Sequence, residues 1–293
     1  LTQPSCRPFR CSACSSIITS ARLPPDPGST CVASTRTTVC AGRHLRRMVE
    51  SSSGAARVTR SLRATYRVPL RDGTMMGAHV AYPDKTPFGA IIAIMEIWGV
   101  NDTMREHAQE FAEAGWITLV PDLFWRLEPG IELSDSDPAH WDKAIDLYYD
   151  FDYDLGVQDM EDTTAFLRTI PGANGKVGTV GYCLGGKMGY LMCCRSDIDC
   201  AVAYYGTYIE HSIGEAPNLS RPFLLHQALD DKWVPPVVCA LIERRLSPNP
   251  LVEIQKYPGA DHAFARHGGA TYSAPEAERA LELSVEFFRR HLG

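Results

Sequence analysis

No apolar run in this 293-residue chain reaches membrane-spanning length; the longest, Ala90 to Met95, suits a buried strand. Lysine is missing from residues 1–60, which carry nine arginines against only two acids, Asp26 and Glu50, a net +7. The whole chain stands at −6, so the remainder carries −13. An acidic body argues against nucleic acid as a partner. A second cysteine pair is also lacking. Cys11-Ser-Ala-Cys14 has the CxxC spacing, but no other pair or histidine partner follows at finger distance, which counts against a structural zinc site.

Residues 1–60 have no sustained periodicity, are rich in Ser, Thr and Pro, and hold five of the ten cysteines. They are expected to form a disordered extension outside the fold. Met48 opens a more ordinary sequence, so residues 1–47 read as upstream translation; an Arg- and Ser-rich transit peptide is the alternative. The other five cysteines (183, 193, 194, 200 and 239) show no framework spacing, so they read as reduced core residues, Cys183 apart. The expected compartment is reducing, hence cytoplasmic.

What is present from residue 61 onward is regular. Leu62 to Leu70 and Met75 to Tyr82 alternate around Asp72-Gly73, an antiparallel pair. Strands follow at Ala90–Met95, Trp116–Val120, Lys176–Tyr182, Ala201–Tyr205, Pro222–His226 and Leu251–Tyr257. Helices are expected after a cap at Asp102 or Thr103 and in one long stretch reaching Arg168. Further helices are expected over 184–195, through Leu241–Leu246, and from Pro275 to the end. Strands alternating with helices predict an α/β fold with a mostly parallel central sheet flanked by helices on both faces. Residues 61–293 are expected to form a single domain, with no internal repeat.

Gly181-Tyr-Cys183-Leu-Gly185-Gly186-Lys187 admits three templates. A phosphate-binding loop needs a hydroxyl at position 188, where Met stands. The dinucleotide fingerprint needs a GxG spacing that is absent. A nucleophile on a tight strand-to-helix turn needs small residues at ±2, which are present. The plain alternative is a buried cysteine with glycines for packing. The third template demands an acid and then a histidine, both at later strand ends. Asp230-Asp231 follow the apolar stretch Leu224–Leu229, and His262 follows the last strand in Tyr257-Pro-Gly-Ala-Asp-His262.

With these residues in place, the body from about residue 62 to 292 resembles the dienelactone hydrolase (carboxymethylenebutenolidase) family of the α/β-hydrolase fold. Gly178-Thr-Val-Gly-Tyr-Cys-Leu-Gly-Gly186 is similar to the family's nucleophile elbow, and Asp231, four residues before Pro235, fits the family acid better than Asp230. Asp261-His262-Ala-Phe-Ala-Arg266 resembles the segment with the catalytic histidine and a carboxylate-binding arginine. Glu96-Ile-Trp-Gly-Val-Asn101 resembles the strand end whose glutamate contacts the resting thiol. The stretch with Trp141, Ile145 and Tyr148 resembles the region of substrate lining, but no arginine lies between Arg126 and Arg168 where the family places a second one.

The resemblance implies a carboxylic ester or lactone hydrolase without metal or organic cofactor, acting on a small substrate that bears a carboxylate. A broad-specificity esterase or thioesterase is the alternative. Cys183, Asp231 and His262 would form the catalytic set, with the amides of Leu184 and Ile97 as oxyanion hole. Glu96 would gate the thiol, and Arg266, Trp98, Trp141 and Tyr148 would line the substrate site. Neither nucleic acid nor membrane is expected as a partner, and the chain would be a monomer or homodimer. A nucleotide-binding loop and a non-catalytic interaction module are the rival readings; the missing hydroxyl and the complete Cys/Asp/His set count against them.

Overall fold

The computed structural model describes residues 66–293. The expected N-terminal extension, the Cys11/Cys14 pair and the start of the first strand at Leu62 lie outside the described residues.

Two short strands open the sheet, β1 (Tyr66–Pro69) and β2 (Met75–Ala81), paired antiparallel through the Asp72-Gly73 turn. Gly73 takes a φ of 84° there, and the Asp72 carboxylate accepts the Thr74 amide at 2.9 Å. The remaining strands are β3 (Ala90–Ile94), β4 (Ile117–Pro121), β5 (Val177–Tyr182), β6 (Cys200–Tyr204), β7 (Phe223–Ala228) and β8 (Val252–Tyr257). The order across the sheet is β1-β2-β4-β3-β5-β6-β7-β8, antiparallel as far as the β2–β4 pair and parallel from β4 to β8. Strands β3 to β7 are buried along their whole length, which is why they read as continuous apolar runs rather than as alternation.

Helices α1 (Asp102–Ala114) and α6 (Ala274–Leu292) cover one face, where Phe111 meets Phe288 edge-on at 5.6 Å. Helices α3 (Tyr153–Arg168) and α4 (Leu184–Arg195) pack together on the other. Helices α2 (Pro138–Asp150) and α5 (Pro236–Leu246) complete the set, with a 3₁₀ segment over Ile209–Asn218 that has no counterpart in the sequence expectations. Among the described residues no helix is long and apolar enough to cross a membrane.

Two boundaries differ from expectation. Helix α1 is capped by Asn101, whose side chain accepts the Met104 amide, rather than by Asp102 or Thr103. The stretch expected as one long helix is two: Asp152 accepts the amides of Asp154 and Leu155, starting a new helix where the chain turns after Asp150.

Candidate active site

Every residue proposed for the site from sequence lies beyond the C-terminal end of a parallel strand or on helix α2. In open α/β sheets ligands bind outside the carboxyl ends of the strands. Strand β5 delivers Cys183, β7 delivers Asp231, β8 delivers His262 and Arg266, and β3 delivers Glu96, Ile97 and Trp98.

The turn at Cys183 is sharp. Its backbone sits at φ 54° and ψ −112°, a conformation that L residues seldom adopt. Surrounding bonds hold it there: the Cys183 amide donates to the Tyr204 carbonyl at 3.1 Å, while its own carbonyl accepts the amides of Gly186, Lys187 and Thr207. The flanking glycines are required by space. A Cβ on Gly181 would lie 1.9 Å from the Gly185 carbonyl oxygen, and one on Gly185 would lie 2.3 Å from that of Ile94. Leu184 opens α4, so its amide lacks the helical partner that later amides have.

His262 Nδ1 lies 2.8 Å from Asp231 Oδ2, and both residues are buried. Asp231 is itself fixed, because its other oxygen accepts the amides of Trp233 and Val234 at 2.7 and 3.0 Å. Asp230 next to it is exposed. Burial pulls the His262 imidazolium down, yet the charge of Cys183 and the bonds to Asp231 and Cys183 together push it above its ordinary value. A histidine held this way by a carboxylate can exchange a proton with the neighbouring thiol. Cys183 Sγ also approaches Thr207 Oγ1 at 3.8 Å, and the same hydroxyl meets the Tyr148 hydroxyl at 3.1 Å.

A pocket of about 460 Å³ opens over Cys183 and His262. Trp98, Trp141, Tyr148, Tyr149, Tyr208 and Trp233 form its aromatic wall, and Arg266 lines it as well. Trp98 and Trp141 meet edge to face at 4.8 Å. Of these, Tyr149, Tyr208 and Trp233 were not read from sequence, and neither was Thr207. Each sits on a helix or loop whose approach to Cys183 depends on the fold.

Glu96 and Arg266 are bonded to each other. Glu96 is 4% exposed, and its Oε2 accepts the Arg266 Nε–H at 2.7 Å. Its Oε1 is buried with no hydrogen-bond partner among the described residues. The glutamate is therefore engaged with the arginine rather than hydrogen-bonded to the sulfur. Arg266 in turn donates from Nη1 to Asp135 Oδ2 at 2.6 Å, a partner that nothing in the sequence announces across 131 positions.

One cluster with metal-ligand geometry occurs among the described residues: His107, Glu110 and His267 have ligand atoms within 4.8 Å of one another. Glu110 already bonds both histidines, at 3.0 and 2.8 Å, and its carboxyl is held below the ordinary range by them despite burial.

The sequence profile of the dienelactone hydrolase family matches residues 76–292. A carboxymethylenebutenolidase of Pseudomonas putida is 37% identical over 216 residues, covering 74% of this chain and 92% of the relative. Carboxymethylenebutenolidase 1 of Cupriavidus pinatubonensis is 32% identical over 219 residues, covering 75% and 93%. Among solved structures, a dienelactone hydrolase-like promiscuous phosphotriesterase from metagenomic libraries matches with a TM-score of 0.63 at 20% identity, over 78% of this chain and 99% of that one, a likeness of fold. With a family profile matched over most of its length and relatives this similar, the chain belongs to the dienelactone hydrolase family.

Proposed function

We propose that the protein hydrolyses a small carboxylic ester or lactone through a thioester formed on Cys183. The observation that carries this reading is the buried line Asp231–His262–Cys183, of which Cys183 and His262 line the aromatic pocket. His262, oriented through Nδ1 by Asp231, takes the thiol proton, and the sulfur attacks the substrate carbonyl carbon. The amides of Leu184 and Ile97 stabilise the oxyanion. As it collapses, the C–O bond breaks and His262 returns the proton to the leaving oxygen. Water then gives a proton to His262 and attacks the thioester; the C–S bond breaks and the proton goes back to the sulfur.

The strained backbone at Cys183 supports the same reading. A purely structural cysteine has no need of a φ of 54° held by four backbone bonds. The test is a panel of p-nitrophenyl esters, followed by acid quench and mass measurement of the protein. An acyl mass increment on Cys183 during turnover is expected, together with loss of both signals in Cys183→Ala. Full turnover in Cys183→Ala would rule the mechanism out.

A further inference from the structure

We propose that the pocket selects uncharged, aryl-bearing esters or lactones, and that Asp135 sets this selectivity by occupying the arginine that would otherwise pair with a substrate carboxylate. This rests on the hydrolase reading above and adds a substrate class to it.

Among the described residues, Arg266 is the one arginine or lysine lining the pocket. Its side chain is only 10% exposed, and it bonds two carboxylates of the protein, Glu96 through Nε and Asp135 through Nη1, at 2.7 and 2.6 Å. One cation between two acids leaves a local formal charge of −1. Burial works against the guanidinium charge, and the two carboxylates overcome it. A substrate carboxylate entering here would lose water, meet two like charges at close range, and gain an arginine that is already engaged. Glu96 and Asp135 take two of the five guanidinium N–H donors, so a third carboxylate on the remaining donors would bring the local formal charge to −2.

Asp135 is not a loose surface group that yields easily. Gly99 allows the segment before it to dock on the β3 strand end, because a Cβ there would lie 1.9 Å from the Ile131 carbonyl oxygen. Across that close approach Leu133 N–H donates to the Trp98 carbonyl at 2.8 Å, and Val100 N–H to the Ile131 carbonyl at 3.2 Å. The Ser134 amide donates to His140 Nδ1, and the Asp135 carbonyl accepts the Trp141 indole N–H at 2.9 Å. Asp135 is thus pre-positioned over Arg266 by the backbone and by α2.

The rest of the wall agrees with this assignment. Six aromatic rings gain most by covering another ring or an apolar acyl chain; their tyrosine hydroxyls and indole N–H groups can donate hydrogen bonds to a substrate but carry no charge to neutralise a carboxylate. Trp98 faces the pocket while Arg266 stacks at 5.6 Å from its ring, so even the π-face is shared with a cation that is already neutralised.

The test uses two substrates that differ only in charge: the p-nitrophenyl ester of para-carboxyphenylacetic acid, and the same compound with its free carboxyl methylated. The full chain is expected to favour the methylated compound in kcat/KM by about tenfold or more, the scale set by like-charge juxtaposition. Asp135→Asn is expected to raise the acid-to-neutral ratio by about tenfold or more, and Asp135→Glu to return it towards wild type. A wild-type preference for the acid, or a ratio unmoved in Asp135→Asn, overturns the proposal. Binding to Cys183→Ala, read by quenching of the pocket tryptophans, separates selectivity from chemistry and needs no change at Asp135. If the neutral compound binds more tightly there but wild type turns over neither, the hydrolase mechanism falls and the selectivity stands. If both bind alike, or neither binds, the selectivity falls whatever the turnover.

Discussion

Asp230 and Asp231 are adjacent, yet only one can orient His262. Asp231 is buried with both oxygens committed, one to the imidazole and one to two backbone amides, while Asp230 faces solvent. Asp231→Asn is expected to lower kcat by about 10³-fold or more, since an amide cannot stabilise the imidazolium. Asp230→Asn is expected to stay within about twofold, as an exposed substitution. The reverse pattern in steady-state kinetics would assign the acid to Asp230. At Arg266 the structure makes a stability claim: Arg266→Met strands Glu96 and Asp135 without their cation. The expected cost is about 3–5 kcal/mol in denaturant unfolding, because breaking a buried pair leaves uncompensated charge. A loss below about 1 kcal/mol would mean that water reaches these carboxylates freely.

At the scale of elements, the turn between β5 and α4 is the joint on which the site depends. Gly185 lies against the carbonyls of Ile94 and Met95, so the elbow rests on the strand end that also bears Glu96 and Ile97. A methyl group there forces backbone apart, and Gly185→Ala is expected to cost about 1–3 kcal/mol and to lower activity by more than the stability loss explains. Wild-type melting and turnover in that variant would show the contact to be compliant. Between α2 and α3 the capping residue does the separating. Asp152→Ala is expected to cost about 1 kcal/mol, measurable by denaturant titration. The glycine pattern of the elbow was legible because space alone dictates it. The break at Asp152 carried a cap signal too, but helical periodicity continues on both sides, and only the packing of α3 against α4 shows where the axis turns.

At the scale of the molecule, pH dependence follows from histidines buried in opposite senses. His226 is fully buried on β7, bonded to Tyr257 and Ser284, and burial pulls it down to about 3. Below its ordinary value near 6.5 the unfolded chain binds a proton that the folded one refuses, so stability falls as pH drops. From pH 6.5 to 5 this amounts to about 2 kcal/mol. His79 and His291 are also lowered by burial and act in the same direction, whereas the raised His262 stabilises most at low pH and loses its contribution as pH rises through its folded value. Carboxylates held low, such as Glu215 beside Arg195, act at lower pH, from their ordinary value near 4.5 downward. His226→Gln is therefore expected to flatten the slope of stability between pH 6.5 and 5, read by denaturant unfolding at several pH values. An unchanged slope would mean that other groups set it. The charge reversal between residues 1–60 and the rest motivates one more expectation: a chain beginning at Arg60 should keep the melting temperature and the turnover of the full chain. A marked loss of either would place part of that segment in the fold.

The sequence by itself determined the order of the strands and the mostly parallel sheet, and it singled out the glycine-flanked turn at Cys183 with an acid and a histidine at later strand ends. Each of these depends on local periodicity, on glycines that leave no room for a Cβ, or on the chain order of a few residue types. For the acid, motif spacing favours Asp231, and the structure bonds it to His262 while Asp230 faces solvent. Tertiary structure alone decided that Thr207 approaches the thiol and that Glu96 turns to Arg266. It also decided the identity of the second carboxylate on that arginine. Asp135 lies in Ser134-Asp-Ser-Asp-Pro138, which reads as an ordinary polar turn before a helix. Its charge acquires meaning only because the 131–133 segment docks beside Trp98 and carries it to a buried cation, and a contact across 131 positions leaves no periodic trace in the chain.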